Sequence, residues 1–210
     1  MLESRLISFK RLFPWLWRRV EAINGVLFLL GHRNMREVAS EVLAETEFEG
    51  YEFSLASIDD AKRLSGFFQR QPEESFRYFI PHFFDEKTLR RLIGGHSFLV
   101  MKAADAATGE IKGYFFLRCF FIGRAFAGLL VDSGERSKGL GTSIWEACSR
   151  ICGRLGIRMF ATVSERNLPS MISCRRGTEI ISSEKISDDY LLVECGTKST
   201  KGKTDKQATL

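Results

Sequence analysis

The sequence predicts a mixed α/β domain that follows a helical extension. From Tyr51 to Cys195 the apolar pattern switches repeatedly between the two-residue period of strands and the 3.6-residue period of helices. Ahead of Tyr51 the apolar residues recur at helical spacing. The 210 residues are 44% hydrophobic and include 18 Phe, enough to bury one core of ordinary domain size.

The extension covers residues 1–49. Leu2, Leu6, Phe9, Phe13, Leu16 and Val20 step by four and three and draw one apolar stripe, which Pro14 breaks or restarts. The short apolar run "GVLFLLG" follows, then an amphipathic helix in "NMREVASEVLAE". The domain, residues 50–196, opens with a strand in "YEFSLAS" and a helix in "IDDAKRLSGFFQR" that Ser57 would cap. The aromatic stretch from Gln71 holds Pro72 and Pro81 and ends in a helix stopped by Gly94 and Gly95. Three strands come next, "SFLVMKA", "IKGYFFLRCFF" and "RAFAGLLV", the first two joined by the turn "DAATGE". Ile144, Ala147, Cys148, Ile151, Cys152 and Leu155 mark a one-faced helix that Gly156 stops. A strand "IRMFATV", a short helix "NLPSMISCRR" and two last strands, "TEIISSEKI" and "DDYLLVEC", complete the domain. The order from Tyr51 is β, α, α, β, β, β, α, β, α, β, β. Residues 197–210 are polar and low in complexity, which predicts a disordered basic tail.

The net charge of +5 is unevenly placed. Residues 1–36 carry Arg5, Lys10, Arg11, Arg18, Arg19, Arg33 and Arg36 against Glu3 and Glu21. The tail is basic too, so the central domain is slightly acidic and has no nucleic-acid footprint. Five Cys at irregular spacing fit neither a zinc site nor a disulfide framework, and reduced core thiols in a cytoplasmic protein fit best. No apolar run reaches the length of a membrane span, and the N-terminus lacks the pattern of a signal peptide. The first 36 residues, with Trp15 and Trp17, would lie on an anionic membrane surface, or pack on the domain or on a second copy of the chain.

The stretch "LLVDSGERSKGLGT" brings two glycines and two basic residues to the mouth of a helix. Backbone N–H groups there lack intrahelical partners and sit in a positive field, so an anion such as a pyrophosphate can settle on them. Gly139 and Gly141 would let the backbone approach closely, and Arg136 and Lys138 would add charge. A tight turn with no ligand fits the spacing equally well. The motif is neither a Walker loop nor G-x-G-x-x-G, since position 144 is Ile.

"RSKGLG", Arg136 to Gly141, resembles the Arg/Gln-x-x-Gly-x-Gly/Ala signature of the GNAT superfamily of acyl-CoA-dependent N-acetyltransferases. The strand before it, the helix and strand after it and the element order from Tyr51 are similar too, over about two-thirds of the chain. The resemblance implies a mostly antiparallel central sheet flanked by helices and a domain that takes acetyl-CoA as co-substrate, without a metal. It implies that the backbone of Arg136, Ser137, Lys138, Gly139, Leu140, Gly141 and Thr142 holds the pyrophosphate. Leu129, Leu130 and Val131 would hydrogen-bond the pantetheine arm, in a gap where neighbouring strands splay. Asn167 would touch the cofactor or serve as a helix N-cap.

The family's downstream Asn-x-x-Ala-x-x-x-Tyr pattern is incomplete here: Ser170 takes the Ala position and Cys174 that of the Tyr acid. Cys174 is then a proton donor or a buried structural thiol, and Tyr190 a second donor or a packing residue. For the base the candidates are Asp132, Glu165, Glu74 and His82, each of them otherwise a loop group. Amine acetylation needs positioning more than a strong base. The aromatics around Phe79 and His82 would shape an acceptor pocket or close the core, and Arg118 would face either acceptor or solvent. The expected activity is acetyl transfer to a primary amine, with a small molecule or amino sugar favoured over a protein. The rival is a GNAT-shaped module that holds acyl-CoA or nothing and acts through its N-terminal helices.

Overall fold

The computed structural model describes the backbone of residues 14–198 and the side chains of residues 19–198. The part of the apolar stripe before Val20 and the tail from residue 199 lie outside the described residues. Helix α1 is Pro14–Gly31, with Pro14 at its first position, where a missing N–H costs nothing. It runs on through "GVLFLLG", which the sequence reading set apart. Helix α2 is Met35–Ala44.

The chain then runs β1 (Tyr51–Leu55), α3 (Asp60–Gln69), α4 (Glu86–Ile93), β2 (Phe98–Asp105), β3 (Ile111–Phe120) and β4 (Arg124–Val131). It continues with α5 (Leu140–Leu155), β5 (Arg158–Ser164), α6 (Leu168–Gly177), β6 (Glu179–Ser187) and β7 (Tyr190–Gly196). This is the order the hydrophobic periods predict. Ser57 does not cap α3. It donates its N–H and hydroxyl to Asp60 Oδ2 at 2.9 and 3.0 Å, and Asp60 also takes Lys102 Nζ at 2.6 Å.

Seven strands form one sheet in the order β1-β2-β3-β4-β5-β7-β6. Every neighbouring pair is antiparallel except β4 and β5. That exception follows from connectivity, because α5 carries the chain back over the sheet between them. On one face α1, α2 and α5 bury Phe28, Val42, Leu43, Ile144 and Ile151 against Leu117 and its neighbours. On the other, α3 and α4 bury Leu64, Phe67 and Leu89 against Tyr114, Phe116 and Leu130. Each such side chain stabilises by about 1.5–3 kcal/mol. Helix α2 therefore shares the domain's core, and Glu45 just past its end takes both Arg150 and Arg154 of α5.

Helix α6 packs closely on α5 through Gly177. A Cβ there would lie 2.4 Å from Thr142 O and 2.8 Å from Trp145 Cβ, so only glycine permits the approach.

Candidate functional site

The site begins where the sheet comes apart. The parallel β4–β5 ladder holds three pairs, Arg124–Arg158, Ala125–Met159 and Phe126–Phe160, and goes no further. Asp132 N–H donates to Lys112 O at 2.8 Å, so by the two-residue alternation of an antiparallel pair the even-numbered residues of β4 bond to β3. The odd-numbered ones, Leu129 and Val131, turn their N–H and C=O groups toward β5, into an open wedge. Leu130 faces the other way, and its side chain is buried under α3.

The wedge widens toward the turn before α5. Gly139 is left-handed at φ +100°, and Ser137 at φ +64° is the one non-glycine with positive φ among the described residues. A serine held there costs on the order of 1 kcal/mol, strain that recurs at ligand clamps. Thr142 and Ser143 donate to Gly139 O at 2.9 and 3.2 Å, whereas the N–H groups of residues 137–141 meet no acceptor among the described residues. Those amides and the helix dipole suit an anion. A Cβ on Gly141 would make ordinary contacts at 3.6–3.8 Å, so the loop's own packing does not demand glycine.

Residues remote in sequence brace this turn. Glu135 accepts Tyr51 Oη–H at 2.5 Å and Lys138 Nζ at 2.8 Å. That carboxylate, with some burial, pushes the Tyr51 phenol up to about 12. Phe48 lies against Gly139, 3.4 Å from where a Cβ would stand. Arg136 donates to the buried Ser75 hydroxyl at 2.5 Å, which ties the turn to the 3-10 segment Glu73–Phe76. Tyr51, Phe48 and Ser75 carry no motif, and their sequence distance from the turn left no signal of this role.

The acid–base candidates do not converge. Asp132 accepts Gly134 N–H at 3.0 Å and Gln71 Nε2 at 2.9 Å. Burial opposes its charge, but Gln71, Gly134, Lys112 and Arg70 together hold its carboxyl below the ordinary value. That makes it a brace for the turn and a weak base. Glu165 pairs with Lys185 at 3.1 Å on an exposed turn. Glu74 lies exposed in a short 3-10 turn, Glu73–Phe76. Cys174 is fully buried between α6 and β7, its Sγ 3.6 Å from Cys195 Sγ. The hydrogen bond they share, with burial, pushes the Cys195 thiol up, and the same bond draws the Cys174 thiol down against its burial. Asn167 is the N-cap of α6 and accepts Ser170 N–H at 3.3 Å. Tyr190 pairs with Ser164 across β5 and β7, at the wide end of the wedge. Paired residues share a face, and since Val163 faces the α5 core, Tyr190 and Ser164 lie on the opposite side.

The aromatic segment covers the β3–β4 face. Phe79 packs on Phe116 and Tyr114 and closes to 3.3 Å from where a Cβ of Gly128 would stand, while Phe116 approaches that point to 2.6 Å. Only a glycine on β4 leaves room for both rings. His82 Nδ1 lies 2.8 Å from Phe83 O, which can only accept, so Nδ1 carries the proton and Nε2 accepts from Tyr114 Oη–H at 2.7 Å. Burial pushes the His82 imidazole down, against the pull of the Phe83 carbonyl. Most of these rings close the core. Phe68, Phe76, Phe83 and Phe84, with Asp85 and Glu86 at the rim, also wall a cavity of about 620 Å³. That cavity lies beside α3 rather than in the wedge. Arg118 pairs with Glu21 of α1 at 2.9 Å and lies over the Phe120 ring. No group of three or more His, Cys, Asp or Glu that could hold a metal forms among the described residues.

No family model and no curated protein matches the chain. Solved structures do match. The GNAT domain of PAT from S. lividans aligns at TM-score 0.58 and 18% identity, over 69% of this chain and 89% of that one. The ribosomal-protein-S5-alanine acetyltransferase of Vibrio fischeri gives the same score and identity over 70% and 93%. AAC(6')-Ib, solved with paromomycin and acetyl-CoA, aligns at 0.55 and 15% over 76% and 100%. The chain has the fold of the GNAT acetyltransferases, a mixed α/β fold around a mostly antiparallel seven-stranded sheet.

Proposed function

We propose that the protein is an acetyl-CoA-dependent N-acetyltransferase whose acceptor is the primary amine of a small molecule or amino sugar. The observation that carries this reading is the wedge between β4 and β5, bordered by outward-facing backbone groups and opening onto free amides at the α5 N-terminus. An empty fold would gain nothing from a strained Ser137 and unpaired amides at that point. In this reading the amides of residues 137–141 and Arg136 hold the pyrophosphate, and Leu129 and Val131 bond the amide-containing arm as an added strand would.

The acceptor amine, in its neutral form, attacks the thioester carbonyl carbon. A C–N bond forms, the C–S bond breaks, the amine's extra proton passes to solvent, and the departing thiolate takes up a proton. Tyr190, at the wide end of the wedge, is the donor assigned to that last step, since Cys174 is buried against Cys195. Asp132, Glu165 and Asn167 act in turns, ion pairs and caps rather than on the substrate. Chemistry then rests on positioning, as attack by an amine permits. A small acceptor accords with AAC(6')-Ib, a protein of this fold solved with paromomycin.

A thiol-release assay with acetyl-CoA and a panel of amines tests this. Release that depends on both substrates is the expected result. Acetyl-CoA binding without release for any amine, small or peptide, would favour the binding module instead.

A further inference from the structure

Helix α1 is turned the wrong way round for a soluble protein. Its inward face is pinned by polar contacts: Glu21 pairs with Arg118 at 2.9 Å, and Asn24 donates to Ser97 Oγ at 3.1 Å and Cys119 O at 3.0 Å. Phe28 and Gly25 complete that face. The apolar residues point outward. Val20, Ile23, Val26, Leu27 and Leu30 are 48, 60, 54, 44 and 61% exposed. At about 100° per residue these five fall within an arc of about 120°.

The β3–β4 turn extends the patch. Asn24 Oδ1 accepts the Phe121 N–H at 3.1 Å, which sets Phe121 and Ile122, 56 and 59% exposed, alongside the helix. Seven of the thirteen large exposed apolar side chains among the described residues lie on this helix and turn. Scattered exposed apolar residues are ordinary, but a contiguous patch marks a contact surface.

We propose that the outward face of α1, with the β3–β4 turn, docks the protein on an anionic lipid surface. Charge decides between lipid and a second copy of the chain. Arg19 falls on the exposed arc and Arg33, also exposed, follows the helix end, while Arg36 bonds to Ile93 O at 3.0 Å and Glu21, the acidic residue of the helix, turns to Arg118. Over residues 1–36 seven basic residues stand against two acidic. Two such faces brought together would repel, whereas anionic headgroups would neutralise both. No helix of the described residues is long and apolar enough to cross a membrane, so the helix lies in the plane of the surface.

The test is co-sedimentation of the full chain with vesicles of phosphatidylcholine alone or mixed with phosphatidylglycerol, at low and high salt. Binding is expected to the mixed vesicles and to weaken at high salt. Val26→Asp with Leu30→Asp alters two outward positions, so it should keep the circular dichroism spectrum and acetyl-CoA affinity and lose vesicle binding about tenfold or more. Wild-type protein that ignores mixed vesicles overturns the proposal, as does a folded double variant that binds them equally well. A dimer in light scattering that the double variant converts to monomer, without vesicle binding, makes the face a protein interface and overturns it too. These readouts are independent of catalysis, so they stand whether or not the acetyltransferase reading holds.

Discussion

The GNAT signature has its tyrosine acid on the helix where this chain has Cys174, and Tyr190 is the donor proposed in its place. Cys174 keeps the helix position but faces Cys195 in the core. Cys174→Ala should therefore leave acetyl transfer within about twofold of wild type, at a cost on the order of 1 kcal/mol from the small cavity. Tyr190→Phe should lower kcat about tenfold with little change in Tm, if it supplies the thiolate's proton. Steady-state rates on the two variants, beside melting curves, check both, and a large rate loss in Cys174→Ala alone would reverse the assignment. Gly177→Ala acts first on stability. Its methyl meets Thr142 O at 2.4 Å, so α6 must move off α5, at about 1–3 kcal/mol. The residue types and spacings of the glycine turn were legible in the sequence because they are local. The sequence reading favoured a buried thiol at Cys174 over a proton donor, but a position in a helix does not say which neighbour it faces.

At the scale of elements, the wedge and its bracing decide function, and neither is written in a short window. Periodicity marks β4 and β5 as strands, but the point where their ladder ends, after Phe126 and Phe160, is set by tertiary packing that no single window carries. The brace on the turn joins Tyr51 to Glu135 across 84 residues. Tyr51→Phe removes that bond and should weaken acetyl-CoA binding several-fold, while costing only about 0.5–1.5 kcal/mol of stability. The aromatic segment carries a pH signature. Burial sets the folded-state pKa of His82 below the ordinary 6.5 of the unfolded chain. Its contribution to stability is full above that value and is lost as pH falls from 6.5 toward the folded pKa, because the unfolded chain takes up its proton first. Melting temperature should drop between about pH 7 and pH 5, and drop less in His82→Gln. Equal slopes for the two proteins would show that His82 stays solvated.

Across the whole molecule, the order of eleven elements from Tyr51 was readable because each strand and helix keeps its own period, and the fold followed. The N-terminal helices were readable as helices and not as what they contact. Amphipathicity says that α1 has two faces, and only its polar bonds to β3 and the β3–β4 turn show that the apolar one points out. Likewise Arg118, an arginine among aromatics, looked suited to an acceptor until Glu21, 97 residues away, claimed it. The central claim is that the turn before α5 is a phosphate site at the mouth of the wedge. It is tested most directly by calorimetric titration of acetyl-CoA into the wild type and Gly141→Val, with melting curves on both. Added bulk at Gly141 meets only ordinary contacts within the protein, so the variant should fold. Wild type should bind, and the variant's affinity should fall by about tenfold or more as the side chain blocks the approach to the amides. A folded Gly141→Val that binds acetyl-CoA as tightly as wild type, or a wild type that gives no heat of binding, would contradict the account.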